Sequence, residues 1–84
     1  MKKYVDTLKF NEGSQFNLYD KDNNDTGTVV TLLHINRYSD GFTENTVDLE
    51  YSRHNEVAAT STMTEAQFVD YVTSGAFRKI GGYK

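Results

Sequence analysis

The sequence predicts a small α+β domain, a mostly antiparallel sheet of three to five strands with one C-terminal helix packed on a face. Three observations carry this. Residues 46–52, TVDLEYS, alternate cleanly between apolar and polar, the period of a strand with one wet face. Residues 28–36, TVVTLLHIN, are β-branched and apolar on both alternating faces, as a central strand should be. Residues 62–75, TMTEAQFVDYVTSG, hold a helix start, an apolar stripe and a stop.

Taken in order, the N-terminal YVDTLKF suits either an edge strand or a short helix, and its pattern does not choose between them. In QFNLY, residues 15–19, Phe16 and Leu18 share one face and Asn17 and Tyr19 the other. DKDNNDTG, residues 20–27, consists of turn formers. In the central strand the alternation groups Val29, Leu33 and Ile35 on one face, and Val30 and Leu32 on the other. A loop with Ser39, Asp40 and Gly41 leads to the third strand, with Val47, Leu49 and Tyr51 inward and Asp48, Glu50 and Ser52 outward. VAATSTM, residues 57–63, follows RHNE, where His54-Asn55 allows a tight hairpin because Asn tolerates positive φ. In the helix, Thr64 is placed to cap and Gln67 to close a capping box. Met63 can staple to Phe68, the stripe is Phe68, Val69, Tyr71 and Val72, and Gly75 supplies a left-handed stop.

Eighty-four residues without an internal repeat or a Gly/Ser-rich linker suit one domain, residues 1–84. With no cysteine, disulfides and thiolate chemistry are excluded, and a reducing compartment is expected. No apolar run approaches the roughly 20 residues that cross a bilayer, and MKKYVDTLKF lacks the apolar core of a signal peptide, so a soluble intracellular protein with no membrane partner is expected. The net charge of −3, twelve acids against nine bases, argues against sequence-independent DNA binding and is too dispersed for a DNA mimic.

Catalytic and metal chemistry find little purchase. From Asp20, DKDNNDTGTVVT begins like a calcium loop with Asp20, Asp22 and Asn24, but it carries Asp25 where the turn needs Gly and Thr31 where a bidentate Glu belongs. His34 lies mid-strand and His54 in a turn, and no nucleophile elbow, phosphate loop or HExxH motif is present. The sequence is therefore read as a non-enzyme with no cofactor and no metal site. For protein binding the candidates are Tyr38, Asp40, Phe42 and Glu44 in the loop YSDGFTENT, with Asp20, Asp22 and Asp25 offering acidic complementarity. Phe42 could equally fold back onto the core. The alternative partner is single-stranded nucleic acid, through Arg37, Tyr38, Arg53, Arg78 and Lys79, because bases stack on aromatics beside cations. A third reading is a homodimer or larger homo-oligomer joined through edge strands, as a structural component.

From TVVTLLHINRYS through VAATSTMTEAQFVDYVTSG the chain resembles a group of small phage-encoded open reading frames. In these, a strand of the form xLxI is followed some twenty or thirty residues later by M-T/S-E-A-Q-F/W-x-x-x-V/I-T/S-S. Leu33 with Ile35 and the segment Met63 to Ser74 carry the match. After Gly75 the group runs on as GxGVPxT where this chain has AFRKIGGYK. The group has no assigned catalytic residues. The resemblance implies a phage or prophage accessory protein acting in the host bacterial cytoplasm. Its expected partner is a host protein that it inhibits or redirects, for instance a CRISPR effector, a restriction enzyme or another defence component.

Overall fold

The alternating segments pair with one another, and the helix then carries the chain across the sheet they form. A computed structural model describes residues 10–80. Its elements are β1 (Gln15–Tyr19), β2 (Asp25–Asn36), β3 (Thr46–Arg53), β4 (Ala59–Thr64), α1 (Glu65–Ser74) and β5 (Phe77–Lys79). Apart from Phe10, the YVDTLKF segment lies outside the described residues, as do Gly81 and Gly82.

The sheet order is β4-β3-β2-β1-β5, with every neighbour antiparallel. The first four strands are a meander, and β2 is central, as the apolar pattern on both its faces requires. The chain then returns from the β4 edge to pair β5 with β1 at the opposite edge. Four strand spacings amount to about 19 Å, and the ten-residue helix covers about 15 Å. The crossing also runs along the strands, from the Thr46 end of β3 to the Leu18 end of β1, so Gly75 and Ala76 complete what α1 begins.

Side chains on the helix side form the core: Phe10, Phe16, Val30, Leu32, Val47, Leu49, Phe68 and Phe77 are all buried. Registers explain the grouping, since Val30 sits opposite both Phe16 and Tyr51, and Leu32 opposite Leu49. Four phenylalanines meet at the centre. Phe68 of α1 lies 6.0 Å from Phe10, 5.6 Å from Phe16 and 6.0 Å from Phe77 between ring centroids. Its contacts with Phe10 and Phe16 are edge-to-face, at 89° and 82°, a geometry worth roughly 0.5–1.5 kcal/mol per pair beyond the area buried.

The alternation mispredicts one side chain. Pairing slips between Leu32 and His34, a β-bulge that adds a residue to β2. Ile35 therefore lands opposite Val47 and packs on the core beside Val30 and Leu32, rather than sharing a face with Val29 and Leu33. β2 also starts earlier than its apolar run, at Asp25, and β4 starts later, at Ala59, leaving Val57 96% exposed. Asn55 takes φ of 64° in the β3–β4 turn, as the hairpin requires.

The helix signals operate as read. The Thr64 hydroxyl accepts from the Gln67 N–H, the Gln67 side chain accepts from the Thr64 N–H, and Gly75 closes the helix at φ 90°. Within the stripe only Phe68 is fully buried; Tyr71 is exposed along its edge and stacks on Phe77 at 4.9 Å. No helix among the described residues is long and apolar enough to cross a membrane.

Two stability outcomes follow from this packing. Phe68→Ala should cost about 3–5 kcal/mol, read as a lowered midpoint in thermal or urea unfolding. Thr64→Ala, which removes one half of the capping box, should cost about 1 kcal/mol. Comparable small losses from both would show that Phe68 does not seat the helix.

Candidate functional site: the loop between β2 and β3

Antiparallel order gives the molecule two ends. The β2–β3 loop, residues 37–45, and the start of α1 lie at one; the β1–β2 turn, the β3–β4 turn and Gly75 lie at the other. β2 alone, at 12 residues, holds these ends roughly 35–40 Å apart. Tyr38, Asp40, Phe42 and Glu44 therefore share one end, while Asp20, Asp22 and Asp25 belong to the other. The structure does not bring the two groups into one surface.

The loop is built by its own side chains. One carboxylate oxygen of Asp40 accepts the backbone N–H groups of Phe42 and Thr43, each at 2.8 Å, and its other oxygen accepts the Thr43 hydroxyl at 2.6 Å. Asn45 ties the base: its carbonyl oxygen accepts from the Tyr38 N–H at 2.9 Å, and its amide donates to Glu65 at 3.1 Å. Glu65 also receives the Arg37 guanidinium at 3.2 Å, and its own N–H donates to the Asn45 carbonyl at 2.8 Å. A tip folded by Asp40 thus rests on a base bonded to the first residue of the helix.

What this scaffold displays is aromatic. Phe42 is 91% exposed and Tyr38 48%. Four of the five phenylalanines in the chain are in the core, and Phe42 is the fifth. Gly41, with φ of 82°, provides the left-handed residue just before Phe42.

The acids at the other end are turn builders. Asp20 accepts the N–H groups of Asp22 and Asn24 at 2.9 Å, and Asp25 accepts that of Gly27 at 2.9 Å. No group of metal-ligating side chains able to hold an ion occurs among the described residues.

The cationic candidates are dispersed. Arg37 pairs with Glu65 at the loop base. Arg53 grips β2 at the far end, donating to the Thr28 hydroxyl at 3.0 Å and to the Thr26 carbonyl at 2.8 Å. Arg78 lies over the Tyr19 ring at 3.7 Å and donates to the Gly75 carbonyl and to the side chain of Asn23. Lys79 donates to the Ile80 carbonyl. Beside Arg78, an open cleft of about 600 Å³ runs between the β1–β2 turn and the end of α1, with Lys21, Tyr71 and Ser74 on its walls. His34 meets Glu12 at 3.4 Å on the exposed surface.

Sequence reasoning missed Asn45 and Glu65, the two residues that hold the loop. Asn45 stands just ahead of a strand and Glu65 in the first helical turn, where each has a routine local use, and only the fold joins them. Comparison of the chain with protein families, with curated proteins and with solved structures finds no match in any of the three.

Hydrogen bonds from the Thr43 hydroxyl, and then from the Thr43 and Phe42 backbone, hold the Asp40 carboxyl down at about 2, against an ordinary 3.8. Because the folded value is depressed, the contribution of this carboxylate is complete above the ordinary value and is lost as pH falls through about 2. An NMR titration should place the Asp40 midpoint at about 2, well below the ordinary 3.8. Asp40→Ala should speed hydrogen exchange at Phe42 and Thr43 while leaving the core strands protected; unchanged exchange at those two amides would mean that Asp40 does not order the tip.

Proposed function

We propose that the protein is a non-catalytic binding module that engages another protein through its β2–β3 loop, with Phe42 as the anchor and Tyr38, Asp40 and Glu44 around it. One observation carries this reading: a phenylalanine 91% exposed on a tip whose backbone is fixed by Asp40, in a chain that buries its other four phenylalanines. An ordered loop loses less conformational entropy on binding than a floppy one, and an exposed aromatic gains most from being covered. The resemblance to small phage-encoded reading frames supplies the partner class, a host protein that is inhibited or redirected.

The test is affinity capture of the tagged protein from nuclease-treated bacterial lysate, followed by affinity measurement with the captured protein. Phe42→Ala should weaken binding roughly 30-fold, the effect of losing about 2 kcal/mol at an anchor. Its unfolding midpoint should not move, because Phe42 is absent from the core cluster. Full affinity in the Phe42→Ala protein would remove the loop from the interface. Capture of nucleic acid alone from untreated lysate would replace the protein partner altogether.

A further inference from the structure

Among the described residues β4 ends the sheet, and its own sequence carries none of the usual edge protection. Edge strands are commonly blunted by charge, proline, a bulge or a very short length. Residues 59–64, ATSTMT, contain no charge and no proline, pair with β3 without a register slip, and run for six residues. The opposite edge strand, β5, has three.

The phase of the β3–β4 ladder tells which backbone groups face outward. The Glu65 N–H donates to the Asn45 carbonyl at 2.8 Å, continuing the ladder one step past Thr46 and Thr64. In an antiparallel ladder alternate residues bond to the same neighbour, so Met63, Ser61 and Ala59 direct their backbone groups at β3. Thr62 and Thr60 then aim theirs away from the sheet. Thr64 has the same outward phase, and its N–H is taken by the Gln67 side chain at 3.2 Å.

We propose that this edge pairs with the same strand of a second copy of the chain, antiparallel, about a two-fold axis through Ser61. In that register Thr60 of each copy faces Thr62 of the other, so both outward N–H and C=O sets are satisfied symmetrically. Threonine pairs of this kind are favourable across strands. Ala59 faces Met63, small against large. Residues 57–64 carry no charge, so two copies of a chain with net charge −3 meet here without like charges opposed. Among the described residues nothing crosses the outer edge of β4, because α1 leaves Thr64 over the core face toward β5. An axis normal to the sheet keeps both helices on the same side and makes one sheet continuous through both copies. This association is independent of the β2–β3 loop.

Sedimentation equilibrium of the intact protein, combined with single-cysteine crosslinking, tests it. At the axis the two Ser61 residues would form a non-hydrogen-bonded pair with Cα atoms about 4.5 Å apart, inside the roughly 4.4–6.8 Å range of disulfides. The chain has no cysteine, so Ser61→Cys supplies one thiol per copy. It should form a disulfide-linked dimer on mild oxidation, whereas Thr60→Cys, whose counterpart is Thr62, should not. Thr60→Pro removes an outward donor and leaves the β3 ladder intact; it should weaken dimerisation roughly tenfold or more, through two symmetry-related hydrogen bonds. Should that variant fail to fold, Thr62→Lys puts a charge on the edge beside Asp48, which now accepts the Thr62 hydroxyl at 2.7 Å, and it should likewise dissociate the dimer.

The proposal would be overturned by a monomer even at about 1 mM, where weak specific pairs are populated, by a dimer indifferent to the edge variants, or by equal crosslinking at positions 60 and 61. A monomer that instead binds an extended foreign peptide along β4 would also overturn it, by giving the edge to another chain.

Discussion

Everything in this fold depends on where Phe68 goes. It is the one fully buried side chain of α1, and it fits among Phe10, Phe16 and Phe77, which come from three separate stretches of chain. Without it the sheet would have an apolar face open to water and the helix would have little to dock against. Short isolated helices are marginal in water, so α1 exists as a helix largely because the phenylalanine cluster receives it. The capping box and Gly75 fix where it starts and stops; they do not supply its reason to be there.

Much of this architecture is legible in the residues. The strict alternation of TVDLEYS gives β3 its inward Val47 and Leu49, the two-sided apolar run gives β2 its central place, and Thr64, Gln67 and Gly75 mark the helix. Alternation fails at Leu33 because a bulge adds a residue without a sequence marker as plain as glycine or proline, and Ile35 is carried to the other face. β5 is harder still. Phe77–Lys79 is too short to show a period, and it becomes a strand only because the crossover delivers it beside β1. At the loop, composition marks Tyr38 and Phe42 but cannot decide whether Phe42 is in or out. That depends on the space left in the core, which the other four phenylalanines already fill.

The loop and the acidic turn show how the same residue type serves different ends. Asp40, Asp20 and Asp25 all bond backbone N–H groups a few residues ahead, the local bonding that makes Asp common in turns. At the β1–β2 turn the result is a compact polar hairpin. At the β2–β3 loop it holds up a large apolar side chain. The chemistry lies in what the turn displays, and the carboxylate is the fixture that displays it.

The crossover of α1 has a kinetic side as well. β1 to β4 are joined by two five-residue turns and one nine-residue loop, so each pairing closes a small loop and costs little chain entropy. The pairing of β5 with β1 joins the two ends of the described chain and encloses the meander and the helix together. Its entropic cost is the largest among the described strand pairings, and little of it is recovered until Phe77 reaches Phe16 and Phe68. The meander can therefore assemble piecemeal from sequence neighbours. The aromatic cluster, and with it the cooperativity of the whole domain, arrives only when its last strand comes home.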